Sequence, residues 1–303
     1  MNQQIRLRRL TKPSGKIDVV IDTDTYNEID DQFALAYLIK LQDKLNLQAI
    51  YAAPFFNERS SGPKEGMERS YEEILRILEI MEKEEYGKVT YRGSDTYLTD
   101  ERTPVESPAA RDLIQRAMSR EEDSPLYVVA IGAITNVASA ILLEPKLVDR
   151  IVLVWLGGNG HHWTDNKEFN LMQDVAAARI IFECGVPLIQ LPCGGVVSEF
   201  RTTGPELEYW LRGKNKLCDY LIDATIKEGK RMGVPTWSRV IWDVTAVAWL
   251  LEGDFMYDSL EPSPIPEYND TYRFDSSRPL IRYVYGINRD RLFEHLFETL
   301  SKE

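Results

Sequence analysis

The apolar positions of this chain fall into two alternating rhythms. Short runs rich in Val, Ile and Leu at residues 17–23, 47–53, 89–92, 126–131, 151–156 and 187–191 read as buried strands. Between them, Ile74, Ile77, Leu78 and Met81, and then Ile134, Val137, Ala138 and Ile141, keep the i, i+3, i+4, i+7 spacing of helices with one buried face. Strands that are apolar throughout, alternating with helices, predict an α/β fold: an open, mainly parallel central sheet with helices on both faces.

After residue 200 the pattern becomes helical, with Leu217, Tyr220, Leu221 and Ala224 on one stripe and a further helix over about 243–251. A Pro-rich stretch, Glu261-Pro-Ser-Pro-Ile-Pro266, precedes an expected hairpin within 271–287 and a last helix carrying Phe293, Leu296, Phe297 and Leu300. No repeat, low-complexity linker or break in composition divides the chain. The expected organisation is one domain over residues 1–303, with a helical and hairpin elaboration at its C-terminal end and residues 1–15 as a surface arm.

Ligands of open parallel sheets bind beyond the carboxyl ends of the strands, so residues just after each strand are the site candidates. Four stretches qualify: 22–31, Phe55-Phe56-Asn57, Ile131-Gly132, and the long segment from Gly157 to Asn170. The first is the most informative. Asp22-Thr-Asp24-Thr-Tyr-Asn27-Glu28-Ile-Asp30-Asp31 packs five carboxylates into ten residues. Two carboxylates about 4 Å apart repel by roughly 4 kcal/mol at the effective dielectric of a partly buried site, so a counter-cation is expected there. The candidate ligands are oxygens, which favours a hard ion such as Ca²⁺ or Mg²⁺ over zinc. By themselves these residues allow Asp24 and Asp31 to coordinate a metal while Asp30 stays free to hydrogen-bond a polyol.

The 303 residues, 44% of them hydrophobic, are enough for a large core. A formal net charge of −12 argues against a nucleic-acid partner, because phosphate binding relies on clustered Lys and Arg. Three cysteines, Cys184, Cys193 and Cys218, form no CxxC pair and no even framework, and a cytoplasmic location is expected. The basic start, with Arg6, Arg8, Arg9 and Lys12, lacks the apolar core of a secretory signal, and no run approaches the ~20 apolar residues of a membrane span.

Asp22-Thr-Asp24 with Asp30-Asp31, the stretch Gly132-Ala-Ile-Thr135-Asn136-Val-Ala, the pair Glu168-Phe-Asn170 followed by Asp174-Val-Ala-Ala-Ala, and the late Trp242-Asp243 together resemble the inosine-uridine nucleoside hydrolase family. Order and spacing match over essentially the whole chain. The resemblance implies an N-ribohydrolase fold acting on a small nucleoside, with a tightly bound Ca²⁺ and a homodimeric or homotetrameric assembly. Carried over by position, Asp24, Asp31 and Asp243 would give side-chain oxygens to calcium and Ile131 its backbone carbonyl. Asp30 would hold the ribose hydroxyls with Asn170 beside it, Glu168 toward the 5′ end, and Asn57 as a looser contact. Asp24 would take the proton from the attacking water as the N-glycosidic bond breaks through an oxocarbenium-like state.

The sequence departs from that family at two places. The acidic loop is two residues longer, with Asn27-Glu28 where a Pro-Gly turn is usual; Glu28 is expected to face solvent. Trp242 stands where many relatives have a histidine that protonates the leaving base, and an indole there suits stacking on a purine. In the long loop, His162, or its neighbour His161, is a candidate contact to the base or the 5′-hydroxyl. His295 reads as structural and Asp174 as a helix cap. Two other readings remain open: a nucleoside or sugar sensor that keeps the calcium pocket without turnover, and a haloacid dehalogenase-type phosphatase in which Asp22 attacks phosphorus.

Overall fold

A computed structural model describes residues 2–302. In chain order the first half contains α1 (Gln3–Arg9), β1 (Ile17–Thr23), α2 (Asp30–Lys40), β2 (Leu45–Ala52), α3 (Pro63–Ile80), β3 (Thr90–Arg92), α4 (Pro108–Met118), β4 (Leu126–Ala130), α5 (Thr135–Leu143) and β5 (Ile151–Leu156). There follow α6 (Phe169–Gln173), α7 (Val175–Glu183), β6 (Leu188–Leu191), β7 (Arg201–Thr202), α8 (Gly204–Leu211) and α9 (Lys216–Arg231). The last part holds β8 (Arg239–Val240), α10 (Val244–Trp249), β9 (Met256–Pro262), β10 (Ile265–Pro266), β11 (Tyr272–Arg273), β12 (Leu280–Ile287) and α11 (Arg289–Leu300).

The main sheet has eight strands in the order β3-β2-β1-β4-β5-β6-β12-β9, and only β9 runs antiparallel to its neighbour. β1 lies between β2 and β4, parallel to both, with Asp22 opposite Tyr51 on one side and Ala130 on the other. Strand order reverses at β1, which opens a crevice beyond its carboxyl end, where ligands of such sheets bind. The pleat of β1 sends Val19 and Ile21 into one apolar cluster and Val20 into the other. The first cluster packs the sheet against α2, α3, α9, α10 and α11, the second against α4, α5 and α7. Burial on both faces explains why these strands read as continuous apolar runs.

Two expectations need correction. The hairpin lies not within 271–287: β12 pairs antiparallel with β9, Ile281 opposite Glu261 and Ile287 opposite Met256, and also joins β6 in parallel. β10 and β11 form a small separate pair inside that excursion. Within the Pro-rich stretch, Pro262 and Pro266 sit at the ends of edge segments, where a missing N–H removes no ladder bond from the central sheet. Nor is the N-terminal segment a plain surface arm. Asn2 caps α1 by accepting from the Ile5 N–H at 2.9 Å, and Leu10 is fully buried. Arg6 donates to the Gly185 carbonyl at 2.9 Å, and the buried Arg9 to the Asp149 carbonyl at 2.7 Å and to that of Glu122. Main-chain carbonyls accept from both of these arginines, which ties the expected surface arm to the body of the fold. No helix is long and apolar enough to cross a membrane.

Candidate metal centre and substrate cavity

β1 delivers Asp22 and Thr23 at its end, and after six intervening residues α2 opens on Asp30 and Asp31, where the helix dipole favours negative charge. Asp243 arrives from the far end of the chain as the residue before α10. Asp30, Asp31 and Asp243 are buried, and each offers an oxygen within 4.8 Å of the others. Asp24, 1% exposed, stands beside this triad, and its Oδ2 has no hydrogen-bond partner among the described residues. Thr23 Oγ1 donates to Asp31 at 2.5 Å.

Electrostatics marks the cluster as incomplete. Burial, followed by the charges of Asp31 and Asp30, pushes the Asp24 carboxyl well up. Asp243 moves the same way through burial and then Asp30 and Asp31. Asp30 is pushed up to about 6 by burial and then by Asp31, and Asp31 to about 6 by burial. Four buried acids facing one another, with an orphaned oxygen among them, are a donor set that fits a hard divalent cation. The Arg239 guanidinium lowers Asp30 somewhat but is itself engaged by Glu28. Glu28 therefore does not simply face solvent; it is paired across the chain.

The Thr135-Asn136 motif braces the acids from behind. Asn136 Nδ2 donates to Asp22 Oδ1 at 2.7 Å, while Asn136 Oδ1 accepts from the Ser94 N–H at 2.7 Å. Gly93 is required there, since a Cβ would lie 2.1 Å from the Ala52 carbonyl oxygen and 2.4 Å from Asn136 Nδ2. The other oxygen of Asp22 is buried without a partner among the described residues, and burial pushes this carboxyl up to about 7. Thr135 donates to Asp174 at 2.7 Å, and Asp174 caps α7 through the Ala177 N–H at 2.9 Å, the role expected for it.

A cavity of about 340 Å³ opens over the triad. Of the residues singled out in the sequence, Asp30, Asp31, Ile131, Glu168, Asn170, Trp242 and Asp243 line it. Glu168 caps α6 and is locked by main-chain donors: Oε1 accepts from the Asn170 N–H at 2.9 Å, Oε2 from Gly158 at 2.8 Å and Leu171 at 2.9 Å. Asn170 Nδ2 donates to the carbonyls of Ile131 at 3.2 Å and Leu156 at 3.0 Å. A carbonyl oxygen has a second lone pair, so this bond leaves Ile131 able to accept again.

Asp24, Asn57 and His162 do not line the cavity; Asp24 lies fully buried beside Asp31 and Asp30. Asn57 Nδ2 donates to Asn27 Oδ1 at 2.7 Å, and it is Asn27 that reaches the wall. His162 is exposed beside Trp163, ring centroids 6.4 Å apart. His161 points elsewhere, stacked on Tyr283 at 4.0 Å, with its pKa lowered by burial. The cavity also uses Asn159, Trp163 and Cys193, which the sequence reading passed over. Asn159 and Trp163 lie in the long loop already flagged. Cys193 follows β6 by two residues, so the rule that strands point at the site reaches it too. Asn159 ties the two stretches together, its Oδ1 accepting from the Gly194 N–H at 2.9 Å.

Fold and cavity thus define an α/β protein with an acidic ligand site at the switch point of its sheet. Residues 19–294 match the model of the inosine-uridine preferring nucleoside hydrolase family, and the chain belongs to that family. Among curated relatives, the non-specific ribonucleoside hydrolase RihC of Escherichia coli (strain SMS-3-5 / SECEC) is 27% identical over 182 residues, covering 56% of this chain and 54% of the relative. RihC of Escherichia fergusonii is 29% identical over the same length. The chain therefore spans about half the length of the curated relatives it matches. Solved structures extend the likeness of the fold to nearly all of it. The plant nucleoside hydrolase PpNRh1 has a TM-score of 0.76 at 20% identity, covering 96% of this chain and 100% of the other. The purine-preferring ribonucleoside hydrolase from Gardnerella vaginalis has a TM-score of 0.74 at 19% identity, covering 94% and 98%.

Proposed function

We propose that the protein hydrolyses the N-glycosidic bond of ribonucleosides to ribose and free base at a calcium site, with purine nucleosides as its better substrates. The observation that carries the reading is the buried triad of Asp30, Asp31 and Asp243 lining a nucleoside-sized cavity, with the buried Asp24 beside it, in a chain of this family.

In this reading Asp24, Asp31 and Asp243 hold the ion with the Ile131 carbonyl, and Asp30, with its neighbour Asn170, takes the ribose hydroxyls. Calcium bound there would supply a positioned water of lowered pKa. Asp24 accepts the proton of the attacking water. Asp30 holds the sugar so that its anomeric carbon faces that water, converting remote binding into orientation of the reacting atom. The same carboxylates stabilise the positive charge that develops on the ribose as the base departs. Glu168, fixed by three main-chain N–H groups, presents a rigid acceptor toward the 5′ end. Trp242 offers an indole face on which a purine stacks. Asn57 acts through Asn27 rather than on the substrate.

The test is product analysis after incubating calcium-loaded protein with inosine, adenosine, uridine and cytidine. Stoichiometric free base and ribose, faster from the purines, supports the reading. Intact nucleosides after prolonged incubation overturn it in favour of a binding protein.

A further inference from the structure

The departing base of an ordinary nucleoside must gain a proton, and this cavity is poorly furnished to give one. Among the described residues that line it there is no histidine and no tyrosine. Of the two imidazoles of the long loop, His161 is half-buried and stacked on Tyr283, and His162 is exposed beside Trp163. Glu168 has both oxygens occupied by main-chain donors, and Glu28 is held by Arg239. Lys167, the one lining cation among the described residues, pairs with Asp270 at 3.6 Å.

The same wall is strongly negative. Glu28, Asp30, Asp31, Asp165, Glu168 and Asp243 all border the cavity. A divalent cation together with Lys167 still leaves an excess of carboxylate. Two indoles, Trp163 and Trp242, border it as well. Trp163 is 49% exposed and lies against Gly195, where a Cβ would come within 2.8 Å of its ring and where φ is +84°. Glycine at that position lets the indole rest at the cavity mouth. Carboxylates around two indole faces are the surroundings in which a flat cation binds best, since the ring quadrupole and the acids attract it together.

We infer that, within the riboside hydrolysis proposed above and resting on it, the preferred substrates are ribosides whose base already carries a positive charge, such as N-alkylated purine or pyridinium ribosides. The step balances without an acid. The C1′–N bond breaks with its electron pair passing to the ring nitrogen, which cancels the positive charge, and the base leaves neutral. Water adds to C1′ and loses one proton to Asp24, which passes to solvent, so ribose, neutral base and one proton are formed. Trp242 in place of a proton donor then becomes an adaptation to the leaving group rather than a loss.

The experiment compares kcat/KM for 7-methylinosine with inosine, and for nicotinamide riboside with uridine, on the calcium-loaded protein. Because cationic ribosides are intrinsically more labile, binding is read separately by quenching of tryptophan fluorescence with 1-methylnicotinamide and with uncharged nicotinamide. The inference expects the cationic member of each pair to be turned over at least about tenfold better and bound about tenfold more tightly, with the binding preference shrinking in Trp163→Ala and in Trp242→Ala. Equal binding of the charged and uncharged ligands, or inosine turned over as well as 7-methylinosine, overturns it while leaving riboside hydrolysis intact. Absence of ribose from every substrate removes both readings.

Discussion

Asn170 donates its side-chain amide to the main-chain carbonyl of Ile131 at 3.2 Å, joining the short helix after the long loop to the residue that follows β4. The same amide reaches the Leu156 carbonyl at 3.0 Å, so one side chain sets the relative position of the ends of β4 and β5. If Ile131 gives its carbonyl to calcium, Asn170 orients a metal ligand as well as facing the sugar. Asn170→Leu, which keeps the volume and removes the donor, is expected to weaken calcium binding by about 10- to 100-fold, the usual effect of losing such a supporting bond. Calcium titration by calorimetry checks it, and unchanged affinity separates the Ile131 carbonyl from the metal.

Metal removal should expose the charge imbalance of the cavity as a pH dependence of stability. The carboxyls of Asp22, pushed up to about 7, and of Asp30 and Asp31, each to about 6, all lie above their ordinary value near 4. A carboxyl raised on folding binds its proton more tightly in the folded chain. Its contribution is full below pH ~4 and is lost as the pH rises through 6 to 7. The calcium-free protein should therefore melt at progressively lower temperature between pH 5 and pH 8. Saturating calcium should flatten that slope, because the ion replaces the protons as counter-charge. Calorimetric scans across the range with chelator and with calcium make the comparison; a calcium-free melting point that climbs with pH contradicts it.

Asn136 is assigned to structure, not to substrate. It satisfies one oxygen of the fully buried Asp22, whose other oxygen already lacks a partner among the described residues. Asn136→Ala strands the carboxylate and should destabilise the protein by about 1–3 kcal/mol. The loss should be largest above pH 7, where Asp22 is ionised, and a denaturation series at two pH values reads it directly.

Trp242 lines the cavity with its back against the core, and its stacking on the base should be selective. Trp242→Ala is expected to raise KM for inosine more than for uridine, by about 3- to 10-fold in the ratio, the worth of one aromatic stacking contact. Equal losses on the two substrates, measured side by side, would dismiss the stacking role.

Much of this arrangement was legible in the chain because it is local. The strands before the site are buried on both faces, and the acids of 22–31 fall directly between one such strand and a helix start, so fold class and the acidic loop could be read from pattern alone, while Glu168, Asn170, Trp242 and Asp243 entered through the family resemblance. What escaped was long-range. Glu28 meets Arg239, and Tyr37 meets His295 at 2.5 Å, across more than two hundred residues, which no periodicity encodes. The pairing of β12 with β9 is much closer in sequence, and it was obscured by prolines whose placement at segment ends only the assembled sheet reveals. The histidines of the long loop misled for a related reason. Their loop borders the cavity, but stacking of His161 on Tyr283 turns one imidazole away, and Trp163 takes the place at the wall.

The most direct test of the account is ribose release by calcium-loaded protein beside its Asp24→Asn variant, both brought to the same measured calcium occupancy. The variant keeps the shape of the site and removes the group that accepts the water's proton, so turnover should fall by at least about a hundredfold, in line with loss of a general base. Wild-type turnover in the variant at matched occupancy would contradict the role given to Asp24 and, with it, the mechanism built on the acidic cluster.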